Sequence, residues 1–172
     1  GDGDGDEPGN AGAGDCRASG EFMVGFAVSV VCDGVQSDEG ADPNPFTDVR
    51  MEVTFTQSGQ AFTVPGHFAA DGLAGDSAAS SGDKWRAYFL PPAPGRWDYS
   101  VSFVNGTNVV FGSPGTPDPQ HDGQSGYFEI GTAGFHGRDL RPAGALVHEH
   151  NDRYASQQGR VFFEAGLHGP TN

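Results

Sequence analysis

The chain has 172 residues, enough for one domain with its own core, and it contains 28 Gly, 12 Pro and a single lysine, Lys84. Its formal charge is −14, from 23 acidic and 9 basic residues. Such a surface repels a phosphate backbone and an anionic bilayer, and no run of about 20 apolar residues exists to cross a membrane, so nucleic acid and membrane insertion are set aside as partners.

Turn residues are plentiful and strong helix formers scarce, which favours short strands and many loops; thirteen Phe, four Tyr and two Trp supply bulky core side chains. In chain order, residues 1–19 read as a disordered, acidic, Gly-rich leader. The opening GDGDGDEP reads as a trimmed mature end, in keeping with a secreted, periplasmic or cell-surface protein. Asp2, Asp4 and Asp6 imitate the start of a calcium loop, but the twelfth residue from Asp2 is Ala13, where an EF-hand needs Glu.

Cys16 and Cys32 suit a disulfide in an oxidising compartment; the alternative is two buried free thiols. A bridge needs Cα atoms within about 7 Å. An unbroken strand from Phe22 to Cys32 would carry them too far apart, so a bridged chain must bend at Gly20 or Gly25.

Phe22–Cys32 is rich in strand formers. Val49–Thr56 alternates, with Val49, Met51, Val53 and Phe55 on one face. Gln57-Ser58-Gly59-Gln60 reads as a hairpin turn into Ala61–Val64. Trp85, Ala87 and Phe89 share one face of the next strand, and Trp97, Tyr99, Val101 and Phe103 one face of the strand after it. Asn105-Gly106 reads as a turn, with Thr107–Phe111 returning as a strand. Tyr127–Ile130, Leu146–His148 and Val161–Glu164 complete the strands, and Ser37–Pro45, Ala69–Asp83 and Gly112–Ser125 read as loops. The expected fold is all-β, a two-sheet antiparallel β-sandwich over residues 20–143, with a core containing Val53, Phe55, Trp85, Phe89, Trp97, Tyr99, Val101 and Phe103.

Several segments carry a resemblance: Asn44-Pro45-Phe46-Thr47-Asp48-Val49, Val53-Thr54-Phe55-Thr56, Val64-Pro65-Gly66-His67-Phe68, Asp71-Gly72, Trp85-Arg86-Ala87-Tyr88-Phe89 and Pro94-Gly95-Arg96-Trp97-Asp98-Tyr99. In this order the chain resembles, over roughly residues 22–104, the immunoglobulin-like domain of unknown function at the N-terminus of bacterial glycoside hydrolases such as apiosidase-like enzymes. Gly144-Ala145-Leu146-Val147, Arg153-Tyr154 and Gly159-Arg160-Val161-Phe162-Phe163 resemble the junction into the catalytic barrel of those enzymes. Thr171 stands where that family often has Glu. The resemblance implies that the barrel and its paired carboxylates lie outside this chain, and that residues 144–172 are a strand and linker leading toward a missing catalytic domain.

Catalytic residues are not nominated. His67, His121, His136 and His168 are scattered, with no Ser or Cys nucleophile in a recognisable arrangement, and the acids lie mainly in loops and leader. His148 and His150 are the metal candidates, since two His two apart on a strand point the same way, but the Glu that would complete a cupin-type set is replaced by Tyr154 or Ala155. An exposed polar stretch is the favoured reading there. Carbohydrate contact would fall to Asp71, Asp76, Tyr88 or Tyr127, with Tyr88 alone on the face opposite Trp85 and Phe89. No cofactor is called for, calcium in the acidic loops being the one exception left open. The chain thus reads as a non-catalytic accessory domain whose partner is a glycoside hydrolase domain; the alternative is a stand-alone carbohydrate-binding module with a polysaccharide partner.

Overall fold

The computed structural model describes residues 11–13, 16–132, 146–149, 153–156 and 161–162. Strands follow in the order β1 (Ala11–Ala13), β2 (Cys16–Gly20), β3 (Val28–Asp38), β4 (Val49–Gln57), β5 (Gln60–Phe68), a single helical turn α1 (Ala74–Ser77), β6 (Ser81–Phe89), β7 (Gly95–Asn105), β8 (Thr116–Pro117), β9 (Ser125–Ile130), β10 (Leu146–Glu149), β11 (Arg153–Ser156) and β12 (Val161–Phe162). All the ladders are antiparallel. β1, β9, β7, β4 and the first part of β5 form one layer; the end of β5 with β6, β3 and β2 forms the other. This is an immunoglobulin-like antiparallel β-sandwich.

The layers are joined by β5, which changes partner. Gln60–Pro65 pairs with β4, and Gly66–Phe68 pairs with β6. Pro65 has no N–H to continue the first ladder. At Gly66 a Cβ would stand 2.4 Å from Met51 Sδ, so only glycine lets β5 cross so close to β4. The turn into β5 has Ser58 and Gly59 both at positive φ, the two-residue geometry that matches strand twist.

Shared parity fills the space between the layers. Val53, Phe55, Trp85, Phe89, Trp97, Tyr99, Val101 and Phe103 are all buried, with Phe55 stacked on Phe89 at 4.2 Å between centroids. Gly34 sits under Trp85, where a Cβ would meet Trp85 Cδ1 at 2.5 Å. The ladder between β3 and β6 is irregular between Asp33 and Ser37, beside this contact.

Three expectations are corrected. First, the boundary at Gly20 cuts through β2: within 1–19, Cys16 and Ala18 are buried against the core and Ala11–Ala13 pairs with β9, because the hydrophobic positions of this segment fit an open sheet edge. The strand foreseen from Phe22 begins only at Val28 and runs on to Asp38, after a bend in which Gly20 has φ 148° and Gly25 φ 85°. A disulfide joins Cys16 to Cys32, which face each other across β2 and β3. Second, Thr107–Phe111 is no strand. Asn108 takes a left-handed conformation and Val109–Phe111 forms a 3-10 turn, because Asp48 Oδ1 accepts the Asn108 amide and the Asp48 carbonyl accepts the Gly106 amide. Third, the loop Gly112–Ser125 contains β8, and its end lies along β7, with Val101 and Phe103 bonded to Gly123, Gln124, Asp118 and Asp122.

In the tail, β10, β11 and β12 form a separate three-stranded sheet. The Phe162 side chain and Phe163 lie outside the described residues, as do residues 1–10.

Candidate functional site

Among the described residues the chemistry-bearing side chains sit on loops and outer faces rather than in one cleft. Asp118 is the buried acid among the described residues. It accepts hydrogen bonds from the Gln120 and His121 amides and from Asn105 Nδ2 at 2.7 Å, and its Oδ1 lies 2.8 Å from His121 Nδ1. Burial pushes its carboxyl up, but those bonds outweigh burial and hold it below its ordinary 3.8. Bonded to Gln120 and His121 of its own loop and to Asn105 of β7, Asp118 ties residues 118–124 to the edge of β7.

A carboxyl lowered in the folded state contributes stability above its unfolded pKa and loses it as pH falls through the folded one. Asp118→Ala should therefore destabilise the domain by about 1.5–3 kcal/mol, the range for a charge-assisted bond, measured by urea unfolding at neutral pH. The difference from wild type should shrink below pH 3.8. A constant difference down to pH 2 would show that the charge plays no part.

A cleft of about 450 Å³ opens between the β3–β4 connection and the end of β7, lined by residues that include Asp42, Asp48, Asn105 and Thr107. Its acids do not form a hydrolytic pair: Asp48 accepts the Asn108 and Asn44 amides, which hold its carboxyl below the ordinary range, Asn108 first.

A smaller groove of about 190 Å³ runs beside the β5 crossover, lined by Pro45, Phe46, Arg50, His67, Phe68 and Val110 among others. Its rim is apolar and open: Phe46 is 48% exposed and Val110 42%, with Phe111 next in the chain at 74%. Arg50 Nη1 and the Val110 amide both bond the backbone here, to Val109 and Thr47, so the rim is held in place.

The carbohydrate candidates do not meet in one place. Asp71 caps its own turn by accepting the Leu73 amide, and the Ser77 hydroxyl first and that amide second hold its carboxyl low. Asp76 sits exposed in α1. Tyr127 lies in β9, not in a loop, on the outer face of the first layer, with the Arg96 guanidinium 3.9 Å from its ring centroid. Tyr88 lies on the outer face of the second layer and is not alone: the His67 ring stacks beside it at 6.1 Å, and Arg86 Nη1 donates to its hydroxyl at 3.0 Å. Desolvation, then the Arg86 charge, holds the His67 imidazole below its ordinary pKa. The sequence could not show this grouping, because it depends on the crossover of β5.

Among the described residues no group of three or more His, Cys, Asp or Glu is placed to hold a metal ion. The His148 side chain lies outside the described residues, as do His136, His150 and His168. No described helix is long and apolar enough to cross a membrane.

Residues 25–104 match the model of a family described as a domain of unknown function, DUF5060. A crystal structure of a candidate glycoside hydrolase from Bacteroides vulgatus ATCC 8482 has a similar fold, with a TM-score of 0.55 and 19% sequence identity. The likeness covers 82% of this chain and only 21% of that one. No curated protein matches the chain.

Proposed function

We propose, from the match of residues 25–104 to the DUF5060 family model, that the chain is a non-catalytic accessory domain of a secreted carbohydrate-active enzyme, packing on or positioning a glycoside hydrolase barrel. The observation that carries the reading is the unequal coverage: most of this sandwich corresponds to about a fifth of a candidate glycoside hydrolase. The open rim of Phe46, Val110 and Phe111 supports it, since solvent-facing apolar groups held on a rigid backbone suit a surface that meets another domain. Contacts between domains of one chain bury about 600–1,500 Å². The acids argue the same way, because Asp48, Asp71 and Asp118 are engaged in local backbone bonds.

The test is made on the product of the whole gene. Deleting the sandwich should lower the melting temperature of a hydrolase domain on the same polypeptide, and Phe111→Ser should reproduce part of that loss. The isolated chain should release no product from chromogenic glycosides. Turnover by the isolated chain, or a gene with no hydrolase domain, would overturn the proposal.

A further inference from the structure

The outer face of the second layer carries a row of side chains that the accessory role does not use. Arg17 on β2, Val31 on β3, Arg86 on β6 and His67 on β5 stand opposite one another in successive strand pairs. Strands lie about 4.8 Å apart, so the row spans roughly 14 Å across the sheet. Two residues along, Ser19, Ser29 and Tyr88 make a second row in the same register. Both rows share one face, because strand side chains alternate with a period of two. Two guanidiniums, an imidazole, two hydroxyls and a phenol ring 53% exposed therefore lie side by side.

Among the described residues charge sets this row apart, the next row on the same face holding the paired Asp33 and Lys84. Arg50, Lys84 and Arg96 are paired with Glu52, with Asp33 and Asp83, and with Asp98. Arg17 and Arg86 make no ion pair among the described residues, although the chain carries 23 acids. These two guanidiniums fall in the same row. Arg86 is nevertheless held in place, by the Gly72 carbonyl and the Tyr88 hydroxyl. Its Nε and Ser29 Oγ are buried beneath the face and have no hydrogen-bond partner among the described residues. The loop at Gly72 packs against Lys84 and Val31 and borders the row on the side away from Tyr88.

We propose that this face binds a carboxylated glycan, a polyuronate chain lying across β2, β3, β6 and β5. Guanidiniums take carboxylates in paired hydrogen bonds, so the exposed Arg17 receives a uronate group, and Arg86, its Nη atoms already bonded to Tyr88 and Gly72, adds its positive charge beside it. An aromatic face beside them receives the C–H face of a sugar ring, which is the role of Tyr88. Ser19, exposed at the edge strand, is placed for a sugar hydroxyl. An isolated phosphate or sulfate would need the cations but neither the ring nor the hydroxyls. The proposal does not depend on an attached hydrolase, so it stands or falls apart from the accessory reading.

The experiment is affinity electrophoresis of the intact chain through gels containing polygalacturonate, neutral galactan or heparin. Ionic strength is held near about 0.15 M, where screening over about 8 Å suppresses repulsion from distant acids but not contact pairs. Polygalacturonate should retard the chain and galactan should not. Tyr88→Ala and Arg17→Glu, both at exposed positions, should each weaken retention by about tenfold while leaving the melting temperature near wild type. Absence of retardation by polygalacturonate, equal retardation by galactan or heparin, or full retention by both variants would overturn the proposal.

Discussion

Replacing Trp97 by Ala should destabilise the domain by about 3–5 kcal/mol, the largest effect expected of any single side chain here. Trp97 is fully buried in β7, and its indole Nε1 donates to the Ala93 carbonyl at 3.0 Å. Its ring meets Phe89 edge-on at 5.0 Å and Phe62 at 5.9 Å. The substitution removes an aromatic body from between the layers and leaves Ala93 with an unpaired carbonyl. Neither loss is easily repaired, because Phe55 and Phe89 are already stacked on each other and cannot both move into the gap. Trp97→Phe keeps most of the volume and loses the hydrogen bond, so it should cost clearly less. Urea unfolding followed by tyrosine fluorescence or circular dichroism checks both variants. A loss below about 1 kcal/mol for Trp97→Ala would mean that the two layers do not close on this residue.

The same residue shows which part of the fold is legible in the sequence. β4, β6 and β7 alternate over Val49–Thr56, Trp85–Phe89 and Trp97–Phe103, and each buries one face, so parity alone identifies their core positions there. The register between them is less accessible. Nothing in Val64-Pro65-Gly66-His67 says that the strand leaves β4 for β6, since the change depends on Met51 lying across the chain. That crossover brings His67 beside Arg86 and Tyr88, so the grouping on the second layer was hidden although its members were visible. Asn105-Gly106 misleads for a related reason. The dipeptide favours a tight turn, but the Asp48 carboxylate, reached from 60 positions away, captures Asn108 and turns the returning segment into a 3-10 turn. Cys16–Ser19 reads as part of the leader because its composition is local information, whereas its place in the sheet comes from pairing with Ser29–Cys32.

The link between Cys16 and Cys32 should be the second large contributor to stability, and it reaches the proposed glycan face. The two residues are 16 apart and directly opposite in β2 and β3, with both side chains turned into the core. In the chain-entropy account a loop of about 15 residues contributes about 3 kcal/mol by restricting the unfolded chain. At about 2–4 °C per kcal/mol for a domain of this size, reduction or the double change Cys16→Ser with Cys32→Ser should lower the melting temperature by about 6–12 °C. The effect should concentrate at the edge of the sheet. β2 has five residues and pairs with β3 on one side, so little else among the ladders holds it. Arg17 is carried on β2, whereas Arg86 and Tyr88 sit on β6, paired on both sides. Partial release of β2 therefore removes Arg17 from the row while Tyr88 stays in place. Below its lowered melting temperature the double variant should bind polygalacturonate about as weakly as Arg17→Glu, and adding Arg17→Glu to it should weaken binding little further. Hydrogen exchange should show faster opening at Arg17, Ala18 and Ser19 than along β6. An unchanged melting temperature under reductant, with both thiols then open to alkylation, would remove the disulfide from the stability account. Full additivity of the cysteine and Arg17 changes would show that β2 keeps its place without the bridge.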